Sequence, residues 1–113
     1  MRSFNRTDRL NKLIKEELSL IIQRLKDPRI GFLTILDVEV TKDISLARIY
    51  VTVYGDSSTR TKTMEALENA TGFIRGELAN QIRIRAIPEL RFIYDESEEV
   101  RERIETILKS VKS

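Results

Sequence analysis

The apolar residues of this chain follow two different periods, and the order in which those periods change constrains the fold more than any other feature. Across residues 7–26 they recur at the three- and four-residue spacing of one helix face, and across residues 33–54 they alternate with polar residues, as in a strand. Helical spacing then returns, followed by a short alternating run and a last helical stretch. This order predicts an α+β fold with its helices on one face of a sheet.

The first helix is predicted over residues 7–26. Thr7 or Asp8 can cap its start, because a side-chain oxygen there can accept a hydrogen bond from a free main-chain N–H. Asp27 and Pro28 end it, since the residue before a proline avoids helical dihedral angles. The apolar face consists of Leu10, Leu13, Ile14, Leu18, Ile21, Ile22 and Leu25.

A β-hairpin is predicted next, with a strand over residues 33–41, a turn at 42–45 and a second strand that alternates from Ala47 to Tyr54. In the first strand Leu36, Val38 and Val40 share one face. Leu33 and Ile35 have the opposite parity, so either both faces are buried at that end or a bulge near Ile35 and Leu36 shifts the phase.

The second helical stretch is capped by Ser58 or Thr59 and keeps its period as far as Ile82. Its apolar positions are Met64, Leu67, Ala70 or Thr71, Ile74, Leu78 and Ile82. Gly72 and Gly76 lie inside it, and each costs about 1 kcal/mol relative to alanine in a helix interior. We therefore predict a kink at Gly72, where two helices meet.

A third strand is predicted at Leu90, Phe92 and Tyr94, and Ser97 can cap a final helix. The apolar face of that helix is Val100, Ile104, Ile107, Leu108 and Val111. Because a helical crossover precedes the third strand, this strand can lie parallel to the first and give a mixed sheet. The whole chain, 1–113, is expected to form a single domain with frayed tips at 1–5 and 110–113.

The composition excludes several kinds of chemistry. The chain has no cysteine and no histidine, which excludes a disulfide scaffold, a thiolate nucleophile, a Cys/His zinc site and an imidazole base. No apolar run approaches the roughly 20 residues of a membrane span, and the first residues form no hydrophobic signal region. We expect a cytoplasmic protein without a membrane partner.

Charge is unevenly distributed although the net charge is only +2. Residues 1–30 contain eight Lys/Arg and four Asp/Glu, whereas residues 95–113 contain four and six. Basic residues lie on the polar side of the first helix, near its end, at the start of the second and after the predicted kink; they are Arg6, Arg9, Lys12, Lys26, Arg29, Arg60, Lys62, Arg75, Arg83 and Arg85. They could bind a phosphate backbone, or they could be solubilising charges interleaved with glutamates.

Other candidates carry weaker signals. The carboxylate pairs Asp37 with Glu39 and Glu98 with Glu99 are typical of solvated charge on a strand face or at a helix start. Arg75 falls one turn after Gly72, where the start of a new helix would favour an anion. Tyr50, Tyr54 and Tyr94 could stack on RNA bases, although tyrosines at such positions more often lie at the edge of a sheet.

Several segments, taken in order, resemble the bacterial ribosome-binding factor A family. They are Asp27-Pro28-Arg29-Ile30-Gly31, Ala47-Arg48-Ile49-Tyr50-Val51, Gly72-Phe73-Ile74-Arg75, Arg85-Ala86-Ile87-Pro88-Glu89-Leu90-Arg91-Phe92 and Tyr94-Asp95.

The resemblance implies a type II KH-like fold, α-β-β-α-kink-α-β-α, with a three-stranded mixed sheet. In it an Ala-x-Gly element, matched by Ala70, Thr71 and Gly72, replaces the usual Gly-x-x-Gly loop. It also implies a factor that binds the immature small (30S) ribosomal subunit and its ribosomal RNA, assists maturation of 16S ribosomal RNA and matters during growth in the cold. Such a factor is not an enzyme and uses no cofactor and no small-molecule substrate; a monomer is the default expectation.

Two other classes of function remain open. The chain could be a protein-interaction module that uses the exposed sheet face or a helical groove, with only incidental RNA contact. It could also be a small carboxylate enzyme, which would need a carboxyl group of raised pKa in a pocket.

Overall fold

The computed structural model describes residues 6–96 of the chain, and these form two helices and one three-stranded sheet. In chain order the elements are α1 (Arg6–Arg24), β1 (Leu33–Val40), β2 (Leu46–Val53), α2 (Ser57–Gln81) and β3 (Glu89–Tyr94). The sheet is mixed, because β1 pairs antiparallel with β2 and β3 pairs parallel with β2. The predicted α+β class with a mixed sheet is confirmed, and the type II KH-like description is consistent with it. No helix in residues 6–96 is long and apolar enough to cross a membrane.

The predicted final helix after Ser97 and the predicted frayed tips lie outside the described residues. The expectation of a single domain over residues 1–113 therefore stays a prediction.

The prediction for the direction of the third strand is wrong. The strand order is β1-β2-β3, and β3 runs parallel to β2, so it is antiparallel to β1. The hairpin leaves one edge of β2 free, and α2 supplies the crossover that a parallel partner at that edge requires. Pairing Ala47 with Leu90 brings both side chains into the core.

Both helices pack on one face of the sheet and bury most of the predicted apolar positions, with Leu25, Met64 and Ala70 partly buried. The core contains Leu10, Ile14, Leu18, Ile21, Ile22, Ile35, Val38, Val40, Ala47, Ile49, Val51, Leu67, Ile74, Leu78, Ile82 and Leu90. Leu13 is an exception, with 41% of its surface exposed, because it lies at the margin of the apolar face of α1. The arginines of the opposite sheet face, Arg48 and Arg91, are neighbours in the register.

A β-bulge resolves the phase conflict in the first strand. The register shifts between Ile35 and Asp37, so the bulge alternative is confirmed, and Ile35 joins Val38 and Val40 on the core face. The placement of Leu36 on that face is wrong, because Leu36 is the extra residue of the bulge and is only half-buried. Its carbonyl oxygen accepts a hydrogen bond from Lys15 Nζ at 3.1 Å.

The two helix starts differ from the predictions. Thr7 and Asp8 lie inside the first turn of α1 and do not precede it. Asp56 caps α2, since its backbone is extended and its carboxylate accepts a hydrogen bond from the Thr59 N–H at 2.8 Å. Ser58 and Thr59, the predicted caps, are already helical, because a cap must lie outside the helix that it closes.

α2 is continuous through Gly72, and the prediction of two helices is wrong. One helix of 25 residues runs from Ser57 to Gln81. The cost of about 1 kcal/mol per glycine is small beside the burial of Leu67, Ile74 and Leu78, which contributes roughly 1.5–3 kcal/mol for each side chain. Packing on both sides of Gly72 therefore keeps the helix intact.

Candidate nucleic-acid interface

Seven of the ten predicted basic residues fall into two groups at opposite ends of the helical layer. The turn after α1 contacts the start of α2, because Thr63 Oγ1 accepts from the Gly31 N–H at 3.2 Å and donates to the Arg29 carbonyl at 3.3 Å. The start of α1 shares a groove with the residues that follow α2. The two helices therefore run in opposite directions, and the 15 residue steps from Arg9 to Arg24, at about 1.5 Å each, separate the groups by roughly 22 Å.

The first group, which we call the turn-side cluster, consists of Lys26, Arg29, Arg60 and Lys62. Arg29 is already engaged, since its Nη2 lies 2.7 Å from Asp27 Oδ2 and its Nε lies 3.0 Å from Asp27 Oδ1. These hydrogen bonds lower the pKa of Asp27 to about 2 and raise that of Arg29. Both side chains remain accessible to solvent, so an incoming phosphate would compete with Asp27 for the guanidinium.

Arg60 of the same cluster packs against the last strand. Its guanidinium carbon lies 4.8 Å from the centroid of the Tyr94 ring, and Nη1 is 3.3 Å from the tyrosine hydroxyl. This stacking fixes the planar guanidinium beside an aromatic ring while the side chain stays only half-buried. Lys62 is exposed, and its charge contributes to lowering the pKa of Asp56 at the start of α2, after the larger effect of the hydrogen bonds from Thr59.

The second group lines a groove of about 570 Å³, which we call the arginine groove. Arg9 comes from α1, and Arg83 and Arg85 come from the loop between α2 and β3; all three are exposed. Asp43 also lines it, and the remaining wall is apolar and consists of Leu10, Leu13, Ile44, Ile84 and Ala86. The structure thus brings together three of the predicted cations from elements distant in the sequence. Lys12 is exposed on α1 but does not line the groove.

Arg75 does not sit at a helix start. Because α2 is continuous, the main-chain N–H groups around Gly72 belong to the helix and are not free to bind an anion. The Arg75 guanidinium instead donates to two main-chain carbonyls, from Nη2 to Ile87 at 2.7 Å and from Nε to Pro88 at 3.1 Å. Arg75 therefore ties the loop that carries Arg83 and Arg85 to α2.

The Ala-x-Gly element lies in the middle of α2. Ala70 packs against the core, and the Thr71 hydroxyl donates to the Leu67 carbonyl at 2.9 Å. Gly72 is exposed, and a Cβ at this position would meet no atom within 4 Å. The element therefore presents open backbone to solvent.

Sequence reasoning missed two exposed aromatic residues. Phe73 is 60% exposed beside Gly72, and Phe32 is 86% exposed just before β1, beside a second groove of about 460 Å³ between the end of α1 and the start of β1. Phe73 falls outside the helical spacing of the apolar residues of α2, and that spacing already indicated that its side chain is exposed. Phe32 lies in the connection between α1 and β1, where neither the helix nor the strand period applies, so nothing in the sequence indicated its exposure.

The carboxylates give no support to acid–base chemistry. Among the described residues, the carboxyl groups with a displaced pKa are those of Asp27, Asp43 and Asp56, and each pKa is lowered by hydrogen bonds to the charged form. A general acid needs the opposite shift. No group of three carboxylates in residues 6–96 is arranged to hold a metal ion.

Comparison with known proteins gives consistent matches. The family model described as ribosome-binding factor A matches residues 6–108. A ribosome-binding factor A from Geobacter sulfurreducens is 47% identical over 111 residues, which cover 97% of this chain and 94% of that protein.

Solved structures agree with the sequence comparison. The crystal structure of ribosome-binding factor A from Thermus thermophilus matches with a TM-score of 0.71 at 31% identity, covering 78% of this chain and 93% of that one. A homology model of the Thermus thermophilus factor, fitted into a cryo-EM map of its complex with the 30S subunit, matches with a TM-score of 0.66 at 31% identity and the same coverage.

Proposed function

The chain belongs to the ribosome-binding factor A family, and from this premise we propose that it binds the small ribosomal subunit and assists maturation of 16S ribosomal RNA, including during growth in the cold. The observation that carries the proposal is the arginine groove, where Arg9, Arg83 and Arg85 converge from two separate elements. Convergent, exposed guanidinium groups suit a phosphate backbone, which they can bind through two parallel hydrogen bonds each.

RNA would lie along the helical layer and meet both basic groups. The residues proposed to serve RNA binding, by direct contact or by positioning other groups, are Arg6, Arg9, Lys12, Lys26, Arg29, Arg60, Lys62, Ala70, Thr71, Gly72, Arg75, Arg83 and Arg85. Within this set Gly72 would allow a sugar–phosphate backbone to approach α2 closely, because nothing covers it. Arg75 would act through the loop that it holds. Phosphate contacts would supply affinity and position, while specificity would come from the shape of the ribosomal site.

In this function the protein works as a cytoplasmic monomer without a cofactor or a small-molecule substrate. A single basic surface that binds a polyanion needs no symmetric partner.

The test is co-sedimentation of the purified protein with immature small subunits, mature small subunits and large subunits across a salt series. We expect salt-sensitive binding to small subunits only. The double variant Arg83→Gln/Arg85→Gln should weaken this binding and reduce the slope of log K against log salt by about one to two.

The matched control is Arg48→Gln/Arg91→Gln, which removes the same charge from the opposite sheet face. We expect the control to bind as the unsubstituted chain does. If both double variants lose the same affinity and slope, binding follows net charge and not the helical surface. If neither changes the slope, the assignment of these residues to RNA fails.

A protein contact is the second candidate, and Phe32 favours it. An aromatic side chain that is 86% exposed beside a groove is typical of an interaction site. In that case subunit binding would persist at high salt, and Phe32→Ser would abolish it while Arg83→Gln/Arg85→Gln would not.

A further inference from the structure

The arginine groove combines an apolar floor with a cationic rim. Three arginines and one aspartate give it a local charge of +2, and five of its nine lining residues are apolar. Its volume of about 570 Å³ lies within the range of small-molecule sites. A groove that only attracted phosphates would gain nothing from an exposed apolar floor, so the floor indicates a ligand with an apolar part as well.

Both walls of the groove are held in place by hydrogen bonds. On one side Ile44 has a φ of 61°, a conformation that is costly for a β-branched residue. The turn imposes it, because Asp43 accepts from the hydroxyls of Thr41 at 2.7 Å and Ser45 at 2.8 Å, and the Ile44 N–H donates to the Thr41 carbonyl. Strain of this kind persists where the surrounding structure fixes it, and here the fixed residue, Ile44, lines the groove.

On the other side Arg75 holds the loop that carries the rim. Its two hydrogen bonds to the carbonyls of Ile87 and Pro88 anchor the end of that loop to α2. The groove is therefore largely preformed, which lowers the entropic cost of binding a ligand there.

We propose that the arginine groove takes one unpaired nucleotide of RNA, with the base on the apolar floor and the adjacent phosphates at Arg9, Arg83 and Arg85. The inference deepens the proposed function and rests on it. Unstacked bases offer a flat apolar face, and a guanidinium can stack on a base as well as pair with a phosphate. Three hydrogen bonds within the turn hold Asp43 Oδ1, so the carboxylate is fixed in the turn and the three arginines outnumber it at the rim.

The first test changes only the RNA. Fluorescence anisotropy compares the full chain bound to a labelled uridine hexamer and to an abasic hexamer with the same number of phosphates. We expect the uridine hexamer to bind about tenfold more tightly, as the contact of one base predicts, with equal salt slopes for the two. Equal affinities would show that only phosphates are bound and would overturn the inference.

The second test changes only the groove. Ala86→Leu narrows the groove without altering its charge or adding an aromatic ring that could itself stack on a base, and Ala79→Leu makes the same change at an exposed position on α2 outside it. We expect Ala86→Leu to reduce or remove the tenfold preference for the uridine hexamer and Ala79→Leu to keep it. Retention of the preference by both variants would place the base elsewhere and overturn the inference.

A third experiment tests whether the groove binds RNA or a protein segment. An acidic peptide of alternating leucine and glutamate carries both an apolar part and negative charge. If it displaces the uridine hexamer at lower concentration than unlabelled uridine hexamer does, the groove is a protein site and the inference is wrong.

The subunit assay keeps the two proposals distinguishable. Salt-sensitive small-subunit binding without a base preference would leave the proposed function standing and remove the nucleotide site. A base preference that depends on Ala86, without subunit binding, would remove the proposed function and retain the ligand class of the groove.

Discussion

Arg75 reaches from the last third of α2 to the Ile87 carbonyl, with 2.7 Å between its Nη2 and that oxygen. A residue that sequence reasoning assigned to an anion is therefore committed to main-chain carbonyls. Its contribution to binding would be indirect, because the loop that it anchors carries Arg83 and Arg85. From the sequence alone, an arginine that contacts RNA cannot be told from one that positions a loop, but an experiment can distinguish the two roles.

Arg75→Lys separates them, because lysine keeps the charge but cannot reproduce the planar fork that reaches two carbonyls. We expect Arg75→Lys and Arg75→Gln to weaken subunit binding alike and to speed amide hydrogen exchange in residues 83–87. A direct phosphate contact would instead be largely rescued by lysine and lost with glutamine, with loop exchange unchanged.

The periodic parts of the fold were predictable, because period alone decides which face is buried. Leu10, Ile14 and Leu18 are buried as their spacing requires, and Ile49 and Val51 as their alternation requires. Alternatives whose free energies differ little, such as a continuous or a broken helix, were not predictable from the sequence. A glycine cost of about 1 kcal/mol indicated a break at Gly72, yet burial of neighbouring side chains outweighs it, and only the packed structure contains that term.

The candidate site also divides into features that the sequence predicts and features that it does not. Exposed cations on the polar side of a helix can be identified from the sequence, as Arg9 and Lys12 were. The meeting of Arg9 with Arg83 and Arg85 depends on the antiparallel packing of α1 and α2, and the apolar wall depends on the unusual backbone of Ile44. The first property belongs to no single stretch of sequence, and the second follows from hydrogen bonds within the turn at 41–45, which the apolar period does not predict.

Gly72→Ala and Gly76→Ala test whether open backbone on α2 serves binding. Both glycines are helical with nothing near a would-be Cβ, so each substitution should stabilise the protein by about 0.5–1 kcal/mol in urea unfolding. We expect Gly72→Ala to weaken small-subunit binding despite this gain, and Gly76→Ala to bind normally. Normal binding by both variants would remove Gly72 from the interface.

Gly55→Ala should destabilise the fold. Gly55 has a φ of +131°, and a Cβ there would lie 3.0 Å from Thr59 Cγ2. Backbone strain and the close contact together predict a loss of roughly 1–3 kcal/mol, measured by urea unfolding. Adding Thr59→Ala removes Cγ2 but leaves both the backbone strain and the Cβ of residue 59, at 3.1 Å from the new Cβ, so it should restore only part of the loss. Unfolding at the same urea concentration as the unsubstituted chain would contradict this account.

The Asp27–Arg29 pair predicts a specific pH dependence of stability. Hydrogen bonds from Arg29 lower the pKa of Asp27 to about 2 in the folded state, whereas the unfolded chain keeps the ordinary value of 3.8. A carboxyl group whose pKa is lowered by folding stabilises the protein above its unfolded pKa, and the stabilisation is lost as the pH falls from about 4 towards about 2. Asp27→Asn cannot ionise, so it lacks this contribution at every pH.

The measurement is the difference in urea midpoint between the unsubstituted chain and Asp27→Asn at pH 7, 5, 4, 3 and 2. We expect a constant difference from pH 7 to 5 that shrinks below pH 4, because Asp43 and Asp56 titrate in both proteins and cancel. Arg29→Gln removes the guanidinium donors but keeps the main-chain N–H of residue 29, which also donates to Asp27 Oδ1, so it should reduce the pH dependence of the Asp27→Asn difference without abolishing it. A difference that persists undiminished at pH 2 in the presence of Arg29 would show that the carboxylate is not stabilised by this pair.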